Sequence, residues 1–135
     1  MAEARIATFS IDGWDTHAGQ AGIIASRFRQ LAQAILTLRD GLGPVWDKTV
    51  VVVVTEFGRT ARANGTGGTD HGTGGVAFLA GGAVRGGTVH GRWPGLTDLY
   101  AGRDLMPTAD VRDYLAAICH APWLLVEADV VDGRQ

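Results

Sequence analysis

A run of five valines at residues 50–54 limits the possible folds of this chain more than any other segment. Consecutive β-branched apolar residues, without polar residues in alternation, are typical of a strand that is buried on both faces. Strands of that kind lie in the centre of parallel sheets, where helices cover both faces. Two segments with ionisable residues follow the valine run. Residues 55–59 read TEFGR, and a glycine-rich stretch then leads to TDHG at residues 69–72.

The segments before the valine run predict a strand and a helix. Residues 4–11 are expected to form a short buried strand. Over residues 20–40, apolar residues recur at spacings of four and three, which predicts an amphipathic helix that ends at Gly41, with Pro44 beyond it. Its apolar positions are Ile24, Phe28, Leu31, Ile35 and Leu38. A strand over residues 49–55 would then complete a right-handed strand–helix–strand unit with two parallel strands.

The second half of the chain predicts fewer regular elements. Residues 76–80 predict another strand, whereas residues 88–107 lack apolar periodicity and predict irregular structure or a short hairpin. Thr108 is suited to cap a helix that runs to Ile118. The predicted fold class is therefore α/β, with a mostly parallel sheet and flanking helices.

The composition excludes several classes of partner. Twelve basic and fourteen acidic residues leave a net charge of −2, and no basic stripe with interleaved aromatic residues occurs. We therefore expect no nucleic-acid partner. No apolar run approaches the ~20 residues that a membrane span needs, so no membrane partner is expected, and the first ten residues lack a secretory pattern. The single cysteine, Cys119, rules out an intramolecular disulfide.

Glycine is unusually frequent, and its distribution is uneven. Thirteen of the twenty glycines lie between Gly58 and Gly95, interleaved with predicted strands and ionisable residues. This pattern favours loops that allow close approach of backbone segments. A long mobile surface loop is the alternative interpretation.

Three groups of ionisable residues follow predicted strands: Asp12, Asp15 and His17, then Glu56, then Asp70 and His71. In open parallel sheets, ligands bind beyond the carboxyl ends of the strands, so these groups are expected to lie near one another. Carboxylate oxygens and imidazole nitrogens together are a normal ligand set for zinc, manganese or iron. The predicted ligands of a divalent metal ion are Asp15, His17, Glu56, Asp70 and His71. Each group alone also has a structural interpretation. For the first group, Asp15 would cap the following helix and His17 would pack on Trp14.

Two further residues have alternative interpretations. Arg59 either contacts an anionic substrate through its planar guanidinium group or pairs with Glu56. His90 lies away from the three groups and is interpreted as a surface residue.

Three segments carry a resemblance to a known family: GWDTHAGQ at residues 13–20, the stretch from the valine run through TEFGRTARANGTGGTDHGTGG to residue 75, and FLAGGAVRGGTVHG at residues 78–91. Over roughly residues 5–118, the chain resembles the C-terminal part of the domain of unknown function 1501 family, which is grouped with the alkaline-phosphatase and sulfatase superfamily. The resemblance implies a partial α/β sandwich around a mostly parallel sheet. It also implies a metal site at the sheet edge for hydrolysis of a small anionic phosphate or sulfate ester.

The resemblance assigns roles to particular residues. Asp15 and His17 resemble the first ligand group of the superfamily, and His71 resembles its late histidine. Residues 55–58, TEFG, stand where the superfamily has Thr-Asp-His-Gly, so Phe57 replaces a histidine ligand. This departure weighs against a two-metal mechanism of the phosphatase type.

The nucleophile of the superfamily lies in an N-terminal part that corresponds to no segment of this sequence. The chain is therefore expected to be a fragment with half of a site, inactive alone. Its partners would be the missing N-terminal part or a second copy. Related full-length proteins often begin with a twin-arginine export signal, which is absent here.

Residues 115–135 carry a second resemblance. The stretch AICHAPWLL at residues 117–125, continuing to Gly133-Arg134, is similar to the nucleophile elbow of the PfpI class of class I glutamine-amidotransferase-like proteins. In that class a cysteine lies between a strand and a helix, whose N-terminus lowers the thiol pKa. Residues 1–118 and 119–135 are thus predicted to be separate segments. A buried or idle Cys119 is the alternative.

Three functions follow as hypotheses. The first is a fragment of a metal-dependent hydrolase-like domain, and the second is a non-catalytic structural or interaction module. The third makes Cys119 the nucleophile of an amidotransferase-like enzyme.

Overall fold

A computed structural model describes the backbone of residues 5–120 and the side chains of residues 5–116. The fold is mixed α/β, with short strands between two helices. In chain order the elements are α1 (Gln20–Leu42), a 3-10 helix (Gly43–Lys48), β1 (Val51–Val53), β2 (Gly58–Arg59), β3 (His71–Gly72), β4 (Phe78–Ala80) and α2 (Val111–His120).

Helix α1 confirms the helix that the apolar spacing predicts, and it extends one residue beyond Gly41, to Leu42. Gly43 ends it with φ 50° and ψ −125°, a conformation that glycine adopts without a Cβ clash, and the Gly43 N–H donates to the Arg39 carbonyl. Pro44 then occupies the first turn of the 3-10 helix, where its missing N–H costs nothing. No helix within residues 5–120 is both long and apolar enough to cross a membrane.

The sheets are antiparallel, so the predicted parallel sheet of an alkaline-phosphatase-like sandwich is wrong for the described residues. Strand β1 pairs with β4 in the register Val51–Ala80 to Val53–Phe78, and β2 pairs with β3. Parallel neighbours need a crossover connection, usually a helix. Between β1 and β4 the chain forms loops and the β2–β3 ribbon instead, and it returns in the opposite direction.

The strand expected at residues 4–11 is absent from residues 5–11, and the predicted strand–helix–strand unit is wrong with it. A strand requires a hydrogen-bonding neighbour, and the sheet of β1 and β4 has two strands in the described part of the chain. The apolar side chains of this segment are correspondingly exposed, Ile6 by 86% and Phe9 by 60%.

Aromatic contacts hold α1 against the strands. The Trp14 and Phe28 rings meet edge to face at a centroid distance of 5.3 Å, and Phe28 meets Phe78 of β4 at 6.3 Å. These contacts join the loop before α1, the helix and the sheet. They also show that Trp14 packs on α1 rather than on His17.

Residues 88–107 are largely irregular, as predicted, and they contain one isolated bridge between Tyr100 and Asp104 instead of a hairpin. Helix α2 begins after Asp110, not after Thr108. The Asp110 carboxylate accepts a hydrogen bond from the Arg112 backbone N–H at 2.9 Å, which is the geometry of an N-cap. The side-chain and backbone hydrogen bonds from Arg112 lower the pKa of Asp110 to about 2.

Candidate metal centre

The β2–β3 ribbon places one candidate ligand. It pairs Arg59 with His71 and Gly58 with Gly72. Added Cβ atoms at Gly58 and Gly72 would lie 2.6–2.8 Å from facing backbone atoms, so the ribbon depends on glycine at both positions. The sequence offers no signal for these strands, because two-residue segments show no alternation.

A second set of backbone contacts brings the loop before α1 to the glycine-rich loop. The Gly19 N–H donates to the Thr66 carbonyl at 3.1 Å, and the Thr69 N–H donates to the Thr16 carbonyl at 3.2 Å. Gln20, the first residue of α1, accepts hydrogen bonds from the hydroxyls of both Thr16 and Thr69, at 2.8 and 2.7 Å. His17 is therefore held next to residues 66–71.

Three predicted ligands converge on one point. His17 Nε2 lies 3.2 Å from His71 Nε2, and both nitrogens lie 3.0 Å from Asp15 Oδ1. Among the side chains of residues 5–116, these three form a group whose ligand atoms all lie within 4.8 Å of one another. Asp15 does not cap α1, because Gly19 is the N-cap and no side chain caps it.

Asp70 is not one of the three converging residues, but it contacts His17. Its Oδ1 lies 3.2 Å from Nδ1 of His17, on the opposite side of the ring from the converging Nε2. Asn64 Nδ2 donates to the same Asp70 oxygen at 3.0 Å and to the His17 carbonyl at 2.8 Å. Metal-binding histidines generally carry such a carboxylate or carbonyl partner on the second ring nitrogen.

The proton positions follow from these contacts. An ionised carboxylate only accepts hydrogen bonds, so the contact with Asp70 requires a proton on Nδ1 of His17. In the neutral ring, Nε2 then presents a lone pair toward Asp15 Oδ1, which is also an acceptor. That juxtaposition is favourable only when a cation, either a proton or a metal ion, lies between the two atoms.

Hydrogen bonds lower the pKa of both aspartates. The hydrogen bond from His71, together with the hydrogen bond and charge of Arg59, lowers the pKa of Asp15. The hydrogen bond from Asn64 and then that from His17 lower the pKa of Asp70.

Arg59 is committed to protein partners. Its guanidinium group donates to Asp15 Oδ1 at 2.5 Å and to the carbonyls of Trp14 and Thr69 at 2.9 and 2.8 Å. Its ion-pair partner is therefore Asp15 and not Glu56. Its role as an anion contact stays a prediction.

Phe57 stacks on His71. The ring centroids lie 3.8 Å apart with an interplanar angle of 24°. The stack restrains the plane of the His71 ring.

The remaining predicted residues lie elsewhere. Glu56 is exposed and does not belong to the converging group of described side chains. Cys119 lies in the last turn of α2, and its side chain and residues 121–135 of the proposed elbow lie outside the described part. The thiol hypothesis therefore stays a prediction. His90 is exposed, as expected.

Asn64, Gln20 and Gly68 were not predicted as site residues. The sequence holds one indication, because Asn-Gly followed by Thr-Gly-Gly suits an Asx-type turn in which the asparagine carbonyl accepts backbone N–H groups. Asn64 Oδ1 does accept from the N–H groups of Thr66 and Gly68, at 3.1 and 2.9 Å.

We expect Asn64→Ala to raise the pKa of Asp70 toward its ordinary value of 3.8, because the variant removes the largest cause of the lowering. A carboxyl group with a lowered folded-state pKa contributes stability that is fully present above the unfolded value and is lost as the pH falls through the folded value. The wild-type chain should therefore lose free energy of unfolding more steeply below pH 3.8 than the variant does. Carboxyl ¹³C NMR titration measures the change, with Asp110 as the internal reference. An unmoved Asp70 midpoint would contradict the assignment.

The family model described as a protein of unknown function (DUF1501) matches residues 1–131 of the chain. No curated protein and no solved structure matches it. The match continues past residue 118, and the segment boundary predicted there stays a prediction. Because the match spans nearly the whole sequence, the chain belongs to the DUF1501 family.

Proposed function

We propose that Asp15, His17 and His71 bind one divalent metal ion, and that this centre serves the hydrolysis of a phosphate or sulfate ester in a complete domain. Asp70 orients His17 in this proposal. The observation that carries it is the convergence of one carboxylate oxygen and two imidazole nitrogens at mutual distances of 3.0–3.2 Å.

The spacing of the three atoms fits a transition metal or zinc. With ligand bonds of about 2.0–2.1 Å, tetrahedral ligand atoms lie about 3.3 Å apart and adjacent octahedral ones about 2.9 Å apart. The observed separations fall between those values. Zinc and manganese both accept two imidazoles and a carboxylate, and the donor set does not select between them.

The number of ligands and their exposure favour a catalytic over a structural site. Structural zinc sites have four protein ligands, whereas catalytic sites have three and leave a position for water or substrate. The side chains of His17, His71 and Asp15 are 46%, 49% and 57% exposed, so a small ester can reach them. A bound divalent metal ion would polarise the ester and lower the pKa of a bound water.

Arg103 is better placed than Arg59 to contact an anionic substrate. Its Nη2 donates to the His71 carbonyl at 3.3 Å and to Asp104 Oδ2 at 3.0 Å, and its side chain is 58% exposed. Its positive charge also contributes to the lowered pKa of Asp70. A planar guanidinium group beside a metal centre suits phosphate or sulfate oxygens.

Cobalt-substituted protein tests this function. We expect phosphate or sulfate to shift the visible absorption of the Co²⁺-loaded chain, and we expect Arg103→Ala to weaken that effect more than Arg62→Ala does. Turnover of an aryl phosphate or sulfate by this chain alone is expected to be weak or absent. An unchanged cobalt spectrum at saturating anion would contradict the ester-hydrolase proposal and leave metal binding to be judged separately.

A non-catalytic interaction module is the second candidate, and exposed apolar side chains favour it. Within residues 5–116, Val76 is 63% exposed, Val54 48% and Phe78 40%, all at or next to the β1–β4 sheet. In the described part of the chain, the β1–β4 sheet has two strands, and a sheet with free edges and an apolar surface is suited to pairing with further strands. Its occupant would be the N-terminal part of a longer protein or a second copy. A monodisperse, stable monomer in sedimentation analysis would count against this candidate.

A further inference from the structure

Asn64 holds the two loops of the candidate centre together. Its Nδ2 donates to the His17 carbonyl and to Asp70 Oδ1, at 2.8 and 3.0 Å. Its Oδ1 accepts from the N–H groups of Thr66 and Gly68 and from the Thr66 hydroxyl, at 3.1, 2.9 and 2.9 Å. The nitrogen and the oxygen of this carboxamide therefore both form hydrogen bonds, and the nitrogen contacts His17 and Asp70.

The residue that follows Asn64 makes this carboxamide chemically vulnerable. Gly65 is exposed, and an added Cβ there would meet nothing within 4 Å. Its backbone N–H donates no hydrogen bond to any residue in the described part of the chain. An unhindered, uncommitted glycine amide directly after asparagine is the nucleophile that intramolecular succinimide formation requires.

We propose that Asn64–Gly65 is a site of spontaneous deamidation, and that the conversion removes the support of His17 and Asp70. The Gly65 nitrogen loses its proton to solvent base and bonds to Cγ of Asn64. The bond from Cγ to Nδ2 breaks, and the nitrogen leaves as ammonia after taking a proton from solvent. Water then opens the five-membered imide to aspartate or isoaspartate, with no oxidant or reductant involved.

The product cannot replace the two hydrogen bonds that Nδ2 of Asn64 donates. A carboxylate at position 64 has no hydrogen to donate, so it would face the His17 carbonyl and Asp70 Oδ1 as an acceptor against acceptors. The carboxylates at positions 64 and 70 would repel each other at this distance, which disturbs the contact of Asp70 with His17. An isoaspartate additionally lengthens the backbone in a loop that several hydrogen bonds fix to residues 16–20.

The closed loop restrains the reaction. The Asn64 carboxamide must leave its partners before Cγ can turn toward the Gly65 nitrogen, so conversion proceeds from a locally opened state. The Thr66 hydroxyl contributes to closure, since it lies 2.6 Å from the His17 carbonyl and 2.9 Å from Asn64 Oδ1. Removing that hydroxyl should raise the fraction of molecules whose loop is in the locally opened state.

Intact mass and peptide mapping test the proposal on the full chain aged in mildly alkaline buffer. Asn64 is the only asparagine in the sequence, so an amide-to-acid mass gain in its peptide identifies the site. We expect measurable conversion in the folded chain and slower conversion in Gly65→Ala. Thr66→Val should convert about tenfold faster, because one net hydrogen bond shifts the opening equilibrium by about that factor. Thr88→Val, at an exposed position, is the matched control and should convert at the wild-type rate.

The measured rate of deamidation does not depend on metal binding. No conversion of the folded chain over a period in which the urea-unfolded chain converts completely would overturn the proposal. Equal rates for Thr66→Val and wild type would overturn the restraint by the closed loop. The converted form, separated by anion exchange, should lose the ¹⁵N NMR signature of Nδ1-protonated His17, as Asn64→Asp should. An unchanged His17 spectrum in both the deamidated form and Asn64→Asp would contradict the proposed loss of support for His17 and Asp70.

Discussion

Replacement of His71 by alanine is expected to abolish the binding of one zinc ion, because it removes one of three converging ligand atoms. His17→Ala and Asp15→Ala should have the same result. Asp70→Asn should instead weaken zinc binding by about 10–100-fold, since loss of a residue that orients a metal-binding histidine typically costs that much. Isothermal titration calorimetry of metal-free protein gives both affinity and stoichiometry.

Two control variants remove an imidazole or a carboxylate at positions outside the proposed metal centre. His90 and Glu56 are exposed and lie outside the converging group, so His90→Ala and Glu56→Gln should retain wild-type affinity. Loss of binding in Glu56→Gln would return Glu56 to the ligand set that the sequence predicts. Retention of wild-type affinity in His71→Ala would contradict the proposed centre.

The substitution Gly68→Ala is expected to separate the two loops of the candidate centre. Gly68 is buried, and an added Cβ would lie 2.2 Å from the His17 carbonyl carbon and 2.4 Å from the Thr16 carbonyl oxygen. These neighbours are backbone atoms, which cannot turn aside as a flexible side chain can. We expect a loss of about 3 kcal/mol in the free energy of unfolding, at the upper end for overpacked sites, together with loss of zinc binding.

Denaturant unfolding of the metal-free variant measures this loss. Gly86→Ala is the matched control, because an added Cβ at that position meets nothing within 4 Å. Wild-type stability and zinc affinity in Gly68→Ala would show that the loops do not depend on their close approach at this position.

The sequence predicts helix α1 well, because its apolar spacing persists from Ile24 to Leu38 and is local information. It also predicts that Asp15, His17, Glu56, Asp70 and His71 lie near one another, and Glu56 does not belong to the converging group. That expectation rested on a parallel sheet that the described residues do not form. The residues meet instead because glycines allow the backbone at 66–69 to lie against residues 16–20.

The errors have a common physical cause. Strand pairing depends on which segments are available as partners, and the valine run alone does not specify whether its neighbour is parallel or antiparallel. Residues 5–11 have strand-like composition, but strand formation also needs a hydrogen-bonding neighbour. The sequence does not single out Asn64, because an amide is neither a metal ligand of the expected type nor a titratable group. Its importance lies in contacts between distant segments.

Metal content of the purified chain tests the central claim most directly. The chain would be purified after exposure to zinc, dialysed, and compared by elemental mass spectrometry with an Asp70→Ala/His71→Ala double variant. The proposed centre predicts close to one zinc ion per wild-type chain and none in the double variant. An absence of metal from both proteins would contradict it, and the interaction module would become the better-supported function.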